Sequence, residues 1–397
     1  MNNVNFVYRS KKFQKLLDLA KRLDLSAAEI LKISKIPDRE KYETDEIEKS
    51  DGRIRKIHKP CADIRKIQRR INKRIFNAVI WPNYIYGSIP ANKLNNENKD
   101  YVECASMHCQ ARTILKLDIE DFFDNVSEDL VSRIFNKLFG FSEKVSMVLA
   151  RICTVDGALP QGGLTSSYLA SLASLALFEI ESNIYSRLKN KKLTYTRYVD
   201  DITISSKKDN FNFQSTINIL EVALNSIDLP LNQAKINVSN FSSELLRVHN
   251  IRVDQSKPRL DKAEVVKIKD NVSRLKEIAF DKKQPNIRTY YFYREDFNRC
   301  LGLINKLGRV NHPSYGKLNK ALMKIYPIPN LSDIQYVRDS INKLKNLYPA
   351  YMNSYIYRKL FFRIQHRIGF IKKHKIYEKT AINLNLELQK YRATYEK

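Results

Sequence analysis

The chain has 397 residues, 43% of them hydrophobic, with only 10 Gly and 12 Pro. That composition supports a large buried core in two or three structural units and excludes a long disordered or low-complexity region. Its 70 Lys and Arg against 43 Asp and Glu give a formal charge of +27, which points to a polyanion partner, nucleic acid rather than membrane.

No apolar run approaches the roughly 20 residues of a spanning helix. The opening from Met1 to Lys12 is polar and basic, with no apolar signal core. The five cysteines lack any Cys-x-x-Cys pair, and Cys104, His108 and Cys109, though neighbours, have no second pair nearby, so neither a disulfide frame nor a zinc site is expected. A reducing, cytoplasmic location follows.

Two short helices are expected first, Lys12 to Leu23 and a second opened by Ser26 with Glu29 three residues on, the spacing of a capping box. They read as a docking face. From Glu48 the pattern changes, and Lys49 to Pro60 reads as two short strands around a tight turn at Asp51-Gly52. These strands carry cations, Arg55 among them, and form either a solvated basic hairpin or one that offers a planar guanidinium to phosphate oxygens. Next, Ile64, Ile67, Ile71, Ile75 and Val79 recur at helical spacing among Arg65, Lys66, Arg69, Arg70, Lys73 and Arg74, so one face is core and the other basic. Trp81-Pro82 ends that helix, Tyr84 to Ser88 follows, and the polar segment from Asn92 to Asp100 reads as an insertion-like loop.

Thr113 to Leu117 is an apolar run suited to a central strand, and it ends in Asp118, with Ile119, Phe122 and Phe123 just beyond. Gly157 to Ser167 is a turn-rich loop containing Gln161 and Gly162, and it feeds a helix of small residues from Thr165 to Ile180. Further on, Tyr195, Tyr198, Val199, Ile202, Thr203 and Ile204 favour strand, whereas Asp200-Asp201 favours a turn. This stretch reads as a hairpin with acid at its bend. Asp-Asp in a turn is by itself often just solvated, but two carboxylates on a rigid turn suit a divalent cation held by oxygen, and Asp118 is the natural third ligand.

An acidic strand, a Gln-Gly loop with its helix and an acidic hairpin, in that order, resemble the polymerase palm of reverse transcriptases. From about Phe13 to about Ile325 the chain is similar to bacterial reverse transcriptases of the retron and defence-associated (abortive-infection or unknown-group) kind. The resemblance implies an α+β right-hand polymerase fold of fingers, palm and thumb with a helical C-terminal extension. Its expected parts are an N-terminal helical segment over 1–47, fingers and palm over 48–255, thumb over 256–329 and a basic, aromatic helical extension over 330–397.

It further implies an RNA-directed DNA polymerase that copies an RNA template into DNA from dNTPs. Two Mg²⁺, with Mn²⁺ as a substitute, would be held by Asp118, Asp200, Asp201 and the backbone carbonyl of Ile119. One metal lowers the pKa of the primer 3′-hydroxyl and the other neutralises charge on the triphosphate and the leaving pyrophosphate. Phe123, five residues past Asp118, matches the steric gate that excludes a ribose 2′-hydroxyl, although one of Phe122 and Phe123 belongs to the core. Gln161 and Gly162 match the dNTP-side loop, or form a turn without a ligand, and Arg55 falls where the fingers meet the triphosphate. Lys235, in Leu231 to Ile236, matches the palm lysine that protonates pyrophosphate or merely supplies positive charge near it, against the background of many surface lysines.

Two retron marks are not met: Cys104-Ala105-Ser106-Met107-His108 stands for Asn-Ala-x-x-His, and Val248-His249-Asn250 stands for Val-Thr-Gly, a triplet tied in retrons to recognition of their own structured RNA. A defence-associated enzyme is therefore expected rather than a retron proper. Ser167-Tyr168 also departs from the Pro that often follows Thr-Ser in retrons. Leu260 to Phe280 and Asn298 to Ile325 read as thumb helices, with an apolar stripe of Phe297, Leu301, Leu303, Ile304 and Leu307.

Beyond Pro329, aromatics interleave with cations at Tyr348, Tyr351, Tyr355, Tyr357, Arg358, Lys359, Phe361, Phe362 and Arg363. They fit either RNA stacking with phosphate contacts, in which Arg69 and Arg70 would also join, or the core and wet face of one long helix. The expected partners are thus a structured non-coding RNA used in antiphage defence and a homo-oligomer or co-encoded protein, with palm chemistry independent of the extension. Two other functions fit the same residues: a template-independent or protein-primed DNA polymerase, and a nucleic-acid-binding scaffold on a polymerase fold.

Overall fold

The computed structural model describes residues 6–48, 52, 54–91, 97–173, 180–352 and 354–392. The chain divides into two compact units, Met1–Arg259 and Leu260–Lys397.

The first unit is built on a five-stranded sheet in the order Ile85–Tyr86, Thr194–Tyr198, Asp201–Ser206, Thr113–Asp118, Asn237–Asn240; the first pair is parallel and the rest are antiparallel. Thr113–Asp118 is an inner strand, paired on both sides, with Ile114, Leu115 and Leu117 buried. Period-two alternation then sorts the sheet: Leu115 and Leu117, opposite Ile204 and Ile202, enter the core, while Lys116 opposite Thr203 and Asp118 opposite Asp201 take the other face. Ala62–Arg74, Glu143–Cys153 and Ser166–Ala173 supply further residues to the same core.

The capping box is present, with the Ser26 amide donating to Glu29 Oε2 at 2.7 Å and the Glu29 amide donating to Ser26 Oγ at 3.1 Å. The two N-terminal helices, Leu16–Leu23 and Ala27–Ser34, bury Leu19, Leu23, Ile30 and Ile33 in the common core, so their apolar faces turn inward. The basic hairpin pairs Tyr42–Glu48 with Ile54–Pro60, starting seven residues earlier than the expected Lys49. Acidic residues are poor strand formers, but here Glu43 lies opposite Lys59 and Glu46 opposite Lys56, and cross-strand opposite charges stabilise the pairing. Gly52 adopts φ +80°, while its expected turn neighbours Asp51 and Arg53 lie outside the described residues, as do 92–96 of the insertion-like loop and 174–179 of the small-residue helix.

One expected nucleic-acid contact is corrected. Arg70 is buried, and its Nη1 donates to the carbonyls of Leu23, at 2.9 Å, and Asp24, closing the C-terminus of the first helix. It is a structural cation. Arg69, one residue earlier, is half-buried on the same helix.

The second unit contains six helices among the described residues: Lys262–Ala279, Tyr291–Arg309, Tyr315–Lys324, Leu331–Leu347, Tyr355–Lys372 and Glu378–Gln389. The last three share a core that includes Val337, Ile341, Tyr357, Phe361, Ile364 and Leu384. Tyr357 and Phe361 are therefore packing residues, whereas Lys359, Phe362 and Arg363 face outward and Arg358 is half-buried.

The segment 330–397 is joined to the preceding helices by buried charge. Arg294 Nη2 donates to both oxygens of Asp333 at 3.1 Å, Arg367 Nη2 reaches Oδ1 at 2.9 Å, and Phe370 lies under the Arg294 guanidinium. Tyr326 packs edge-on against Phe297 and also against Phe370, and Asn330 Nδ2 donates to the Thr289 carbonyl at 3.0 Å. The extension thus shares one packed body with the helices expected as thumb.

Removing the single carboxylate between two guanidinium groups leaves them facing each other. Asp333→Ala should lower the stability of this unit by about 3 kcal/mol, read as a shift in the urea unfolding midpoint; an unchanged midpoint would show that the triad is not holding the helices together.

Candidate active site

The acidic hairpin forms as expected, with Tyr198 paired to Asp201 across a two-residue turn at Val199 and Asp200. Val199 has φ +59°, a conformation that a β-branched residue rarely adopts. Such a residue persists only where its surroundings over-determine it. Here the Val199 amide donates to the Tyr86 carbonyl at 3.3 Å, Arg197 Nη1 donates to the Val199 carbonyl at 2.7 Å, and the Ile119 amide donates to the Asp200 carbonyl at 3.3 Å. Gly87 completes the clamp, since a Cβ there would come within 2.7 Å of Val199 Cγ2.

Arg197 is fully buried and bound on every side. Its Nε donates to Glu181 Oε1 at 2.8 Å, and its Nη2 donates to the Ser171 carbonyl at 2.8 Å and Glu181 Oε2 at 3.2 Å, while the Tyr195 hydroxyl donates to the same carboxylate at 2.9 Å. A planar fork of donors suits this multiple role, and an ammonium would not replace it. Arg197, Glu181 and Gly87 were not expected as part of the site; the only sequence signal was an arginine inside an otherwise β-prone apolar run.

The strand register sets Asp118 directly across from Asp201, with Asp200 at the adjoining turn. Partial desolvation, reinforced by the neighbouring Asp200 and Asp118 charges, pushes the carboxyl of the still half-exposed Asp201 up to about 6, and burial together with Asp118 raises that of Asp200. The cluster is under-compensated in positive charge. Lys235 Nζ, which lies 2.6 Å from Asp118 Oδ2, supplies part of the balance. Among the described residues no three acidic, His or Cys side chains are drawn together as a ready metal cage, as expected when carboxylates repel and one is paired with an ammonium. The donor set, all oxygen and short of positive charge, fits a hard divalent cation.

Ile119 is buried beside these groups. Phe122 is core, and half-buried Phe123 packs edge-on to it with ring centroids 6.0 Å apart, so Phe123 is the one of the pair left partly open. The Gln161 carbonyl accepts from the His58 amide at 2.7 Å, which ties the loop to the basic hairpin. Gly162, at φ +116°, is required there because a Cβ would meet the His58 carbonyl at 2.4 Å. The close backbone approach at Gly162 is to the hairpin strand. Arg55 is exposed on that strand, opposite Ile47.

Two predictions follow from this packing. Arg197→Lys should keep the fold yet loosen the turn, so that the Val199 amide exchanges with solvent at least tenfold faster; unchanged exchange would show that the strand ladder alone holds the turn. The second concerns His108, sealed between Ser205 and Thr196, whose imidazole is pushed down to about 3 by burial. The unfolded chain takes up a proton near the ordinary histidine value and the folded chain does not, so this contribution to stability is present above about pH 6.5 and lost as pH falls. His108→Gln should therefore flatten the decline of the thermal midpoint between pH 7 and pH 5; an undiminished decline would place the titration elsewhere.

Comparison with known proteins adds an independent line. Residues 47–285 match the family described as reverse transcriptase (RNA-dependent DNA polymerase). The chain is 41% identical over 334 residues to the Retron Ec48 reverse transcriptase of Escherichia coli, covering 83% of this chain and 80% of that protein. It is 32% identical over 307 residues to the Retron Se72 reverse transcriptase of Salmonella heidelberg, with 76% and 75% covered. A solved telomerase from Candida albicans aligns with 91% of this chain and 68% of its own at 11% identity and a TM-score of 0.39, too distant to carry an argument.

Proposed function

Because this chain belongs to the reverse transcriptase family, as a bacterial retron-type enzyme and hence an RNA-directed DNA polymerase, we propose that Asp118, Asp200 and Asp201 carry its nucleotidyl transfer with two bound Mg²⁺. Its retron-type kinship, at 41% identity over most of the chain, corrects the expectation of a non-retron enzyme drawn from Cys104 and His249. The observation that supports the assignment is the strand register, which sets Asp118 opposite Asp201 at one end of the sheet with Asp200 in the adjoining turn.

Bound magnesium would supply Lewis acidity and charge neutralisation. The remaining work belongs to the chain. Arg197 and Gly87 hold the turn that aims Asp200 and Asp201, which is how positioning lowers a phosphoryl-transfer barrier without a nucleophilic side chain. Lys235 places an ammonium beside Asp118, where it serves developing negative charge on the leaving group. Arg55 offers its guanidinium to the triphosphate from the same hairpin that fixes the Gln161–Gly162 loop, so phosphate and nucleotide contacts are set by one element. Phe123 stands at the ribose.

The template is a dedicated structured RNA, used in antiphage defence. Family kinship supports an RNA template, and charge supports a polyanion partner: residues 260–397 hold 29 Lys and Arg against 12 Asp and Glu, which is +17 of the total +27. Binding of this kind releases counterions and weakens as salt rises. No described helix is long and apolar enough to cross a membrane. Sequencing the RNA and DNA that co-purify with the protein tests the template; recovery of only random cellular RNA would refute a dedicated one.

The Asp200→Asn, Asp201→Asn double variant keeps shape and removes two anionic ligands, so dNTP incorporation should fall by several orders of magnitude with the thermal midpoint unchanged or raised. Near-normal incorporation would remove the carboxylates from the mechanism. Phe123→Ala should admit ribonucleotides, and an unchanged preference for dNTP would place the gate at another residue.

A further inference from the structure

The two places where the chain departs from the retron pattern touch each other. Cys104 Sγ lies 3.6 Å from His249 Nε2 across 145 positions of sequence. His249, at φ +49°, and Asn250, at φ +62°, form the two-residue turn between Arg247–Val248 and Ile251–Arg252. That turn directs the imidazole toward the acidic hairpin, where its centroid is 4.6 Å from the Tyr198 ring, and its Nδ1 is 4.0 Å from Asp201 Oδ2. The side chain is only 16% exposed.

Behind the ring, the buried Cys104 thiol donates to Thr196 Oγ1 at 3.3 Å, that hydroxyl is 2.7 Å from His108 Nε2, and His108 Nδ1 is 2.7 Å from Ser205 Oγ. Strand alternation puts Tyr198, Thr196, Asp201 and Ser205 on the same face of the sheet. One polar chain thus runs from Ser205 through His108, Thr196 and Cys104 to His249, and ends against Tyr198 beside a catalytic carboxylate.

We propose that His249 is a positioning residue for polymerisation, fixing the Tyr198 ring at the edge of the catalytic carboxylates, and that Cys104, in contact with its imidazole, supports it. This rests on the reading that the aspartates carry nucleotidyl transfer. Threonine, the residue expected at 249, has no ring to lay against Tyr198, and asparagine, expected at 104, would place an amide where the thiol now sits between Thr196 and the imidazole. The turn that carries His249 faces the acidic hairpin.

The test uses the full-length protein, a DNA primer on a homopolymeric RNA template and single-nucleotide incorporation. His249→Ala should lower kcat about tenfold, with KM for dNTP, RNA affinity and thermal midpoint changed by less than twofold or about 2 °C. His249→Phe, which keeps the ring, should retain most of kcat, and it decides the matter if the alanine variant does not fold. Cys104→Asn and His249→Thr should each reduce kcat, while the double variant recovers to above either single one.

A wild-type kcat in His249→Ala overturns the proposal, as does a variant that loses RNA affinity with kcat intact, which would return the triplet to RNA recognition. Strictly additive losses in the double variant overturn the pairing. The Asp200→Asn, Asp201→Asn variant run alongside separates the two levels: if it is inactive while His249→Ala is normal, only this inference fails, and if it polymerises normally, the aspartate assignment fails first.

Discussion

The turn at Val199 and Asp200 keeps its shape because the guanidinium beneath it is bound at both ends. Glu181 and the Ser171 carbonyl fix Arg197 from the helical side, and Arg197 in turn holds the Val199 carbonyl. A buried ion pair of this kind offers little net stability over a well-packed apolar substitute. What it gives is geometry: a left-handed valine and two carboxylates aimed by a structure that does not relax when they repel. The sheet register, the Gly87 contact and the short flanking strand Ile85–Tyr86 all serve that one bend.

Charge is distributed with the same logic. Acid is concentrated at one end of the sheet and left under-compensated, with Lys235 against Asp118 and Lys116 on the same face. Base is spread over the rest, most densely in the helical unit. The contrast leaves a broad positive surplus around a local cluster of carboxylates. Where acid and base had to be buried together, as at Arg294, Asp333 and Arg367, they were used as a rivet between helices.

Much of this was legible from local pattern. The Asp-Asp bend, the apolar strand before Asp118 and the Ser26–Glu29 capping box are short-range features whose physics is contained in a few neighbouring residues. The misreadings share one cause. Arg70 looked like a member of a basic helix face, yet its partners are carbonyls 46 and 47 positions earlier. The strand Tyr42–Glu48 is too acidic to look like a strand until its cationic partner is aligned with it. Tyr357 and Phe361 read equally as stacking residues or core because helical periodicity does not say what lies opposite. Arg197 and the Cys104–His249 contact were invisible for the same reason: each joins segments far apart in sequence.

The break between the two units at Arg259 has a consequence for how enzymes of this kind can be recombined. The helices over 260–397 are held to one another by Asp333 and by Tyr326 between Phe297 and Phe370. A chimaera cut near Pro329, where sequence alone suggests that an appendage begins, would pair one parent's arginines with another parent's helices and leave the rivet mismatched. A cut at Arg259 transplants the helical unit with its charges intact, as a block of about 140 residues rather than as a tail.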